Sequence, residues 1–112
     1  MSQQTDIFLR DSASPWQPAG EGVRRKILTY NDGIMMVRVA FETGAIGPPH
    51  SHPHVQCTLV ESGIWDVTIA GRTERLYEGD SFIVPTGLEH GVVNIEAGQL
   101  LDTFTPMRED FV

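Results

Sequence analysis

A single cysteine, Cys57, leaves the chain without a partner for an internal disulfide. That usage is compatible with a cytoplasmic setting. Long hydrophobic runs are missing. Apolar stretches such as residues 34–37 fall far short of the ~20 residues a membrane-spanning helix needs. Residues 1–10 carry no apolar segment of the kind a secretory signal requires. Positive charge is scarce too. Eight Lys and Arg face 15 Asp and Glu, for a formal net charge of −7. The balance argues against a nonspecific nucleic-acid binder and against docking on anionic membrane. No apolar period of 3.6 is sustained, which argues against a helical core.

What is present is a single domain's worth of chain, 112 residues of which 40% are hydrophobic. Residues 1–22 read as an irregular arm. Pro15, Pro18 and Gly20 break any regular element there, and Trp16 is the one large anchor. From residue 23 onward the pattern is β. Strands are expected over 23–30, 34–42, 54–61, 64–70, 72–77, 81–84, 91–95 and 99–105, separated by Gly, Pro and Asn turns. Gly47-Pro48-Pro49 is excluded from the middle of a sheet, because proline has no N–H to donate. Short strands at this spacing predict an all-β sandwich or barrel over residues 23–112.

Three of the four histidines, His50, His52 and His54, fall within five residues. In extended chain His50 and His52 share a face, and Gln56 has the same parity. Imidazole nitrogens suit a divalent metal ion such as Ni, Zn, Mn or Fe, and an amide oxygen is a permissible further ligand. His90 is the expected neighbour across the sheet. Pro53 interrupts the extended geometry before His54, which is expected beside the metal site or at the surface. Cys57 has the opposite parity. Val55, Cys57 and Leu59 form an outward apolar face, and such a face on a barrel is normally covered. A homodimer built on it is expected.

The glycines give the histidines a frame. Five residues separate Gly44 from His50; His52 follows, then three residues to Gln56 and six to Gly63. Five residues separate Gly79 from Pro85; Gly87 follows, then His90 and, after three more, Asn94. Together the two patterns resemble the paired signature of the cupin superfamily, with Gln56 where that signature usually has Glu. The resemblance implies an all-β, single-domain jelly-roll barrel with a metal ion in its mouth, held by His50, His52, Gln56 and His90. The glutamine carries a consequence of its own. Neutral ligands leave a divalent ion its full +2 charge, which favours Lewis-acid over redox chemistry.

The closing stretch, Leu100-Leu101-Asp102-Thr103-Phe104-Thr105-Pro106-Met107-Arg108-Glu109-Asp110-Phe111, resembles one cupin subgroup, the KdgF-type proteins of pectin and alginate breakdown. Pro15-Trp16, Arg25-Lys26-Ile27-Leu28 and the block from His50 to His54 resemble it as well. This implies an enzyme that linearises 4,5-unsaturated uronates to 5-keto-4-deoxyuronate, with Asp102, Phe104 and Arg108 as catalytic residues and a small anionic sugar as substrate. A guanidinium suits the carboxylate, a phenyl ring suits the flat sugar face, and a tuned carboxyl can move a proton. The metal ligands alone equally support an Fe-dependent dioxygenase, a non-catalytic sugar-acid-binding module or an isomerase of another sugar acid. Among Arg24, Arg25 and Lys26 the sequence does not say which, if any, faces the mouth.

Overall fold

A computed structural model describes residues 3–112; the first two residues of the predicted arm lie outside the described residues. Among the described residues ten strands form two antiparallel sheets. They are β1 (Gln17–Pro18), β2 (Val23–Asn31), β3 (Ile34–Phe41), β4 (Ile46–His50), β5 (Val55–Val60), β6 (Ile64–Ile69), β7 (Arg72–Leu76), β8 (Ser81–Val84), β9 (His90–Glu96) and β10 (Gly98–Thr105). One sheet has the order β1-β2-β3-β10-β5-β8 and the other β4-β9-β6-β7. The all-β architecture expected from the turn spacing is what the chain forms.

The sheets close on each other through alternating inward side chains. Phe41, Val60 and Leu100 from the larger sheet pack on Trp65 and Val67 from the smaller. The rings of Phe41 and Trp65 meet edge-to-face at 4.9 Å, and the Trp65 indole N–H donates to the Ser62 carbonyl at 2.9 Å. Close chain approach sets that corner. A Cβ on Gly98 would collide with the Ser62 carbonyl, so only glycine fits. The β6–β7 hairpin turns through Ala70 and Gly71, both at positive φ (49° and 82°), which matches the twist of a two-residue loop.

Two expectations need correction. Strand structure resumes at Ile46, not near His54, because β4 includes Pro48 and Pro49. Its place explains the tolerance. β4 is an edge strand, and its register with β9 shifts between Gly47 and His50, around both prolines. The arm is also more ordered than expected. β1 pairs with β2, and Trp16 lies under Arg24 (4.4 Å) and Lys26 (4.8 Å). The buried Lys26 ammonium donates to the Asp11 carboxylate at 3.2 Å and to the Asp11 carbonyl at 3.3 Å. Trp16 thus pins the arm as anticipated, over the outer face of β2.

Candidate metal and substrate site

His50 closes β4 and His90 opens β9, and the two are directly paired in the register. Their ring centroids are 4.4 Å apart. His52 belongs to no strand. It sits where the chain crosses from β4 in one sheet to β5 in the other, so His52 and Gln56 do not share a continuous strand with His50. The crossing still aims His52 at the same point, 4.7 Å from His90 and 5.5 Å from His50 between ring centroids. One nitrogen from each of the three lies within 4.8 Å of the others.

The backbone fixes which nitrogen faces inward. His50 Nδ1 lies 3.0 Å from the Pro48 carbonyl, His52 Nδ1 3.1 Å from that of His54, and His90 Nδ1 2.9 Å from that of Leu88. A carbonyl only accepts, so each Nδ1 carries the proton and each Nε2 presents a lone pair. Burial pushes the His52 and His90 pKa values below the ordinary range, and the positive Arg108 lowers both further. Both rings are therefore held neutral, the form that ligates metal.

Gln56, Thr58 and Asp102 extend the site into the barrel. They point inward from adjacent strands, with Thr58 opposite Asp102 and Gln56 opposite Phe104. The Thr58 hydroxyl donates to Asp102 Oδ1 at 2.6 Å, and the Gln56 amide N–H donates to Thr58 Oγ1 at 2.9 Å. That orientation leaves Gln56 Oε1 facing His52 Nε2 at 3.1 Å. Burial raises the Asp102 pKa to about 6, against the hydrogen bond from Thr58 and the charge of Arg108, which lower it.

The C-terminal segment folds over this end. Met107 packs into the core with Met35, Val37 and Phe104. Arg108 lies over Phe104 (5.0 Å) and Phe111 (4.3 Å). Both its Nε and Nη2 donate to Asp110, at 3.0 and 2.8 Å. His54 stands outside the histidine cluster; its Nε2 donates to the Met107 carbonyl at 3.1 Å and ties the tail down. A cavity of about 500 Å³ opens here, lined by His50, His90, Gln56, Asp102, Phe104 and Arg108 among others. Every residue proposed from sequence for metal or substrate thus gathers at one end of the barrel. Sequence reading gave no role to Thr58, Asp110 or Phe111, and left Arg25 undecided among Arg24, Arg25 and Lys26. The parity of Thr58 with Gln56 was a usable signal; the tail contacts had none.

The donor set fits a divalent cation. His90 Nε2 is buried with no hydrogen-bond partner. His52 Nε2 and Gln56 Oε1 are two lone pairs in contact, an arrangement that a shared cation relieves.

The Cupin domain family profile matches residues 37–104, and the chain belongs to the cupin family. Within it, the chain is 44% identical over 107 residues to Pectin degradation protein KdgF of Dickeya dadantii, a match covering 94% of this chain and 97% of that one. Among solved structures it is similar to KdgF from Halomonas sp. (TM-score 0.91, 35% identity, 96% of this chain and 100% of that one). It is also similar to an RmlC-like cupin from Shewanella frigidimarina (TM-score 0.95, 39% identity, 98% and 99%). This is a KdgF-like cupin.

The raised Asp102 pKa has a measurable sign in the metal-free protein. Between the ordinary 3.8 and about 6, the folded state keeps a proton that the unfolded chain releases. Stability owed to Asp102 is therefore lost as pH rises through that window, by about 3 kcal/mol. In denaturant unfolding, Asp102→Asn should gain on the wild type from pH 4 to pH 7 and then hold its advantage. A stability difference independent of pH would contradict the assignment.

Proposed function

We propose that the protein is a metal-dependent, non-redox enzyme of pectin or alginate breakdown that linearises 4,5-unsaturated uronate monosaccharides to 5-keto-4-deoxyuronate. The observation that carries this reading is Asp102. It is a buried carboxyl with a pKa near 6, set two residues from Phe104 and lining the cavity that His50 and His90 also line, in a chain similar to KdgF over nearly its whole length.

The ion would be held by His50, His52 and His90, with Gln56 as the further ligand. When bound, it supplies Lewis-acid stabilisation of negative charge developing on a substrate oxygen, and an all-neutral ligand set leaves its +2 charge undiminished. Phe104 offers a ring against the flat conjugated sugar face. Arg108 contributes positive charge toward the uronate carboxylate.

Linearisation is an isomerisation, so its protons balance. The C1 hydroxyl loses a proton, the C1–O5 bond breaks to leave an aldehyde, and the electron pair passes to O5 as an enolate. C4 then gains a proton and C5 becomes the ketone. Asp102 would act at O1 or C4, and one carboxyl that accepts the first proton can deliver the second. Burial raises its proton affinity above that of a solvated carboxylate, which suits a group that must both take and return a proton.

The same reading carries a cytoplasmic location, with which the lone free thiol of Cys57 is compatible, and a homodimer. Cys57, Leu59 and Ile83 stand exposed on the outer face of β5 and β8, with Leu101 beside them on β10. This patch favours burial against a second copy.

The test is turnover of freshly generated unsaturated uronate, followed as loss of its conjugated-acid absorbance. Metal-loaded protein should exceed the spontaneous rate, and chelation should remove the excess. Asp102→Asn should lower kcat by about 10²–10⁴-fold with metal content unchanged. Oxygen uptake coupled to turnover in iron-loaded protein would contradict the non-redox reading. For the dimer, light scattering should give twice the chain mass, and Leu59→Asp should halve it; a wild-type monomer at high concentration would refute it.

A further inference from the structure

The inward face of β2 carries Val23, Arg25 and Ile27, and the middle position holds a charge. Its neighbours Arg24 and Lys26 point to the other face, where Trp16 receives them. Arg25 instead lines the cavity that also contains His50, His90, Asp102 and Arg108. Its guanidinium lies 3.8 Å from the centroid of the Phe111 ring, the ring that Arg108 also covers.

The two arginines differ in their partners. Arg108 is matched by Asp110, which takes its Nε and Nη2. Arg25 Nε is buried and has no hydrogen-bond partner. Among the described residues no ion pair includes it. Burial and the nearby Arg108 disfavour its charge, and Asp110 offsets them in part. A fold gains nothing from an unpaired guanidinium on an interior strand face, where a methionine would fill the space without the desolvation cost. An aromatic ring holds the group in place but leaves its in-plane donors free.

We propose that Arg25 is a substrate-positioning residue: its guanidinium receives the carboxylate of the sugar acid in the cavity, while Arg108, already matched by Asp110, adds field and packing. The inference rests on the reading of the cavity as a uronate site and deepens it. It accounts for why a protein of net charge −7 keeps two cations at one cavity.

The test uses sodium D-galacturonate and its neutral counterpart D-galactose, titrated calorimetrically into metal-loaded wild type and Arg25→Met. Wild type should prefer the acid. Arg25→Met should weaken galacturonate binding by about tenfold or more and leave galactose binding unchanged. Its melting temperature should equal or exceed that of the wild type. Equal galacturonate affinity in the two proteins would overturn the proposal. So would equal loss of both sugars, which marks a structural role, or a wild type without preference for the acid. Should Arg25→Met fail to fold, Arg25→Lys serves: it keeps the charge but lacks Nε, and should lose part of the preference; full retention would count against the proposal. Turnover separates this inference from the one beneath it. Wild type that fails to convert unsaturated uronate while Arg25→Met still loses galacturonate defeats the catalytic reading alone. Normal turnover with an unchanged KM in Arg25→Met defeats the role of Arg25 alone.

Discussion

Three backbone carbonyls, those of Pro48, His54 and Leu88, hold three imidazoles by their Nδ1 protons, and everything at the mouth of the barrel follows from that grip. A histidine free to choose its tautomer points a donor or a lone pair inward with little preference. Here the choice is made by acceptors that belong to the main chain. The lone pairs converge without any carboxylate to draw them together. The cost is a set of mutually facing acceptors, including Gln56 Oε1 against His52 Nε2. That cost is carried by two sheets clamped around Phe41, Trp65 and Leu100. The edge position of β4 matters equally. An edge strand tolerates two prolines, and those prolines and the bulge around them deliver His50 opposite His90.

The same geometry links the histidine cluster to Asp102. Gln56 is oriented by Thr58, and Thr58 is bonded to Asp102, so a chain of hydrogen bonds runs from Gln56, whose Oε1 faces His52, into the interior. Burial keeps Asp102 poised near neutrality, where a fully solvated carboxyl would be ionised throughout. The tail adds the opposite charge. Met107 anchors it in the core, His54 holds its backbone, and Arg108 and Phe111 are brought over the cavity as a result.

Much of this was legible in the sequence, and the reasons differ by residue. Strands were readable from period-two patterning and from glycines that mark turns, as at Gly71. The gathering of His50, His52, Gln56 and His90 was readable because they stand at the spacings from Gly44, Gly79 and Pro85 that the cupin signature sets. The β4 strand was not, since proline signals a break and only the sheet order shows it to be an edge. His52 shares a parity with His50 on paper, yet reaches the cluster through a crossing between sheets. Arg25 lies between two other cations in sequence, and only the packing of Trp16 on the opposite face shows which one turns inward. Asp110 and Phe111 fall in a short tail with no periodicity to read.

Tautomers can be observed directly. Long-range proton–nitrogen correlation spectra of the metal-free, ¹⁵N-labelled protein report which ring nitrogen carries hydrogen. His50, His52 and His90 should all appear as neutral rings protonated at Nδ1. One equivalent of zinc should then shift their Nε2 resonances together, leaving His54 outside the set. Protonation at Nε2 in any of the three, or a zinc response confined to fewer of them, would contradict a site built in advance by the backbone.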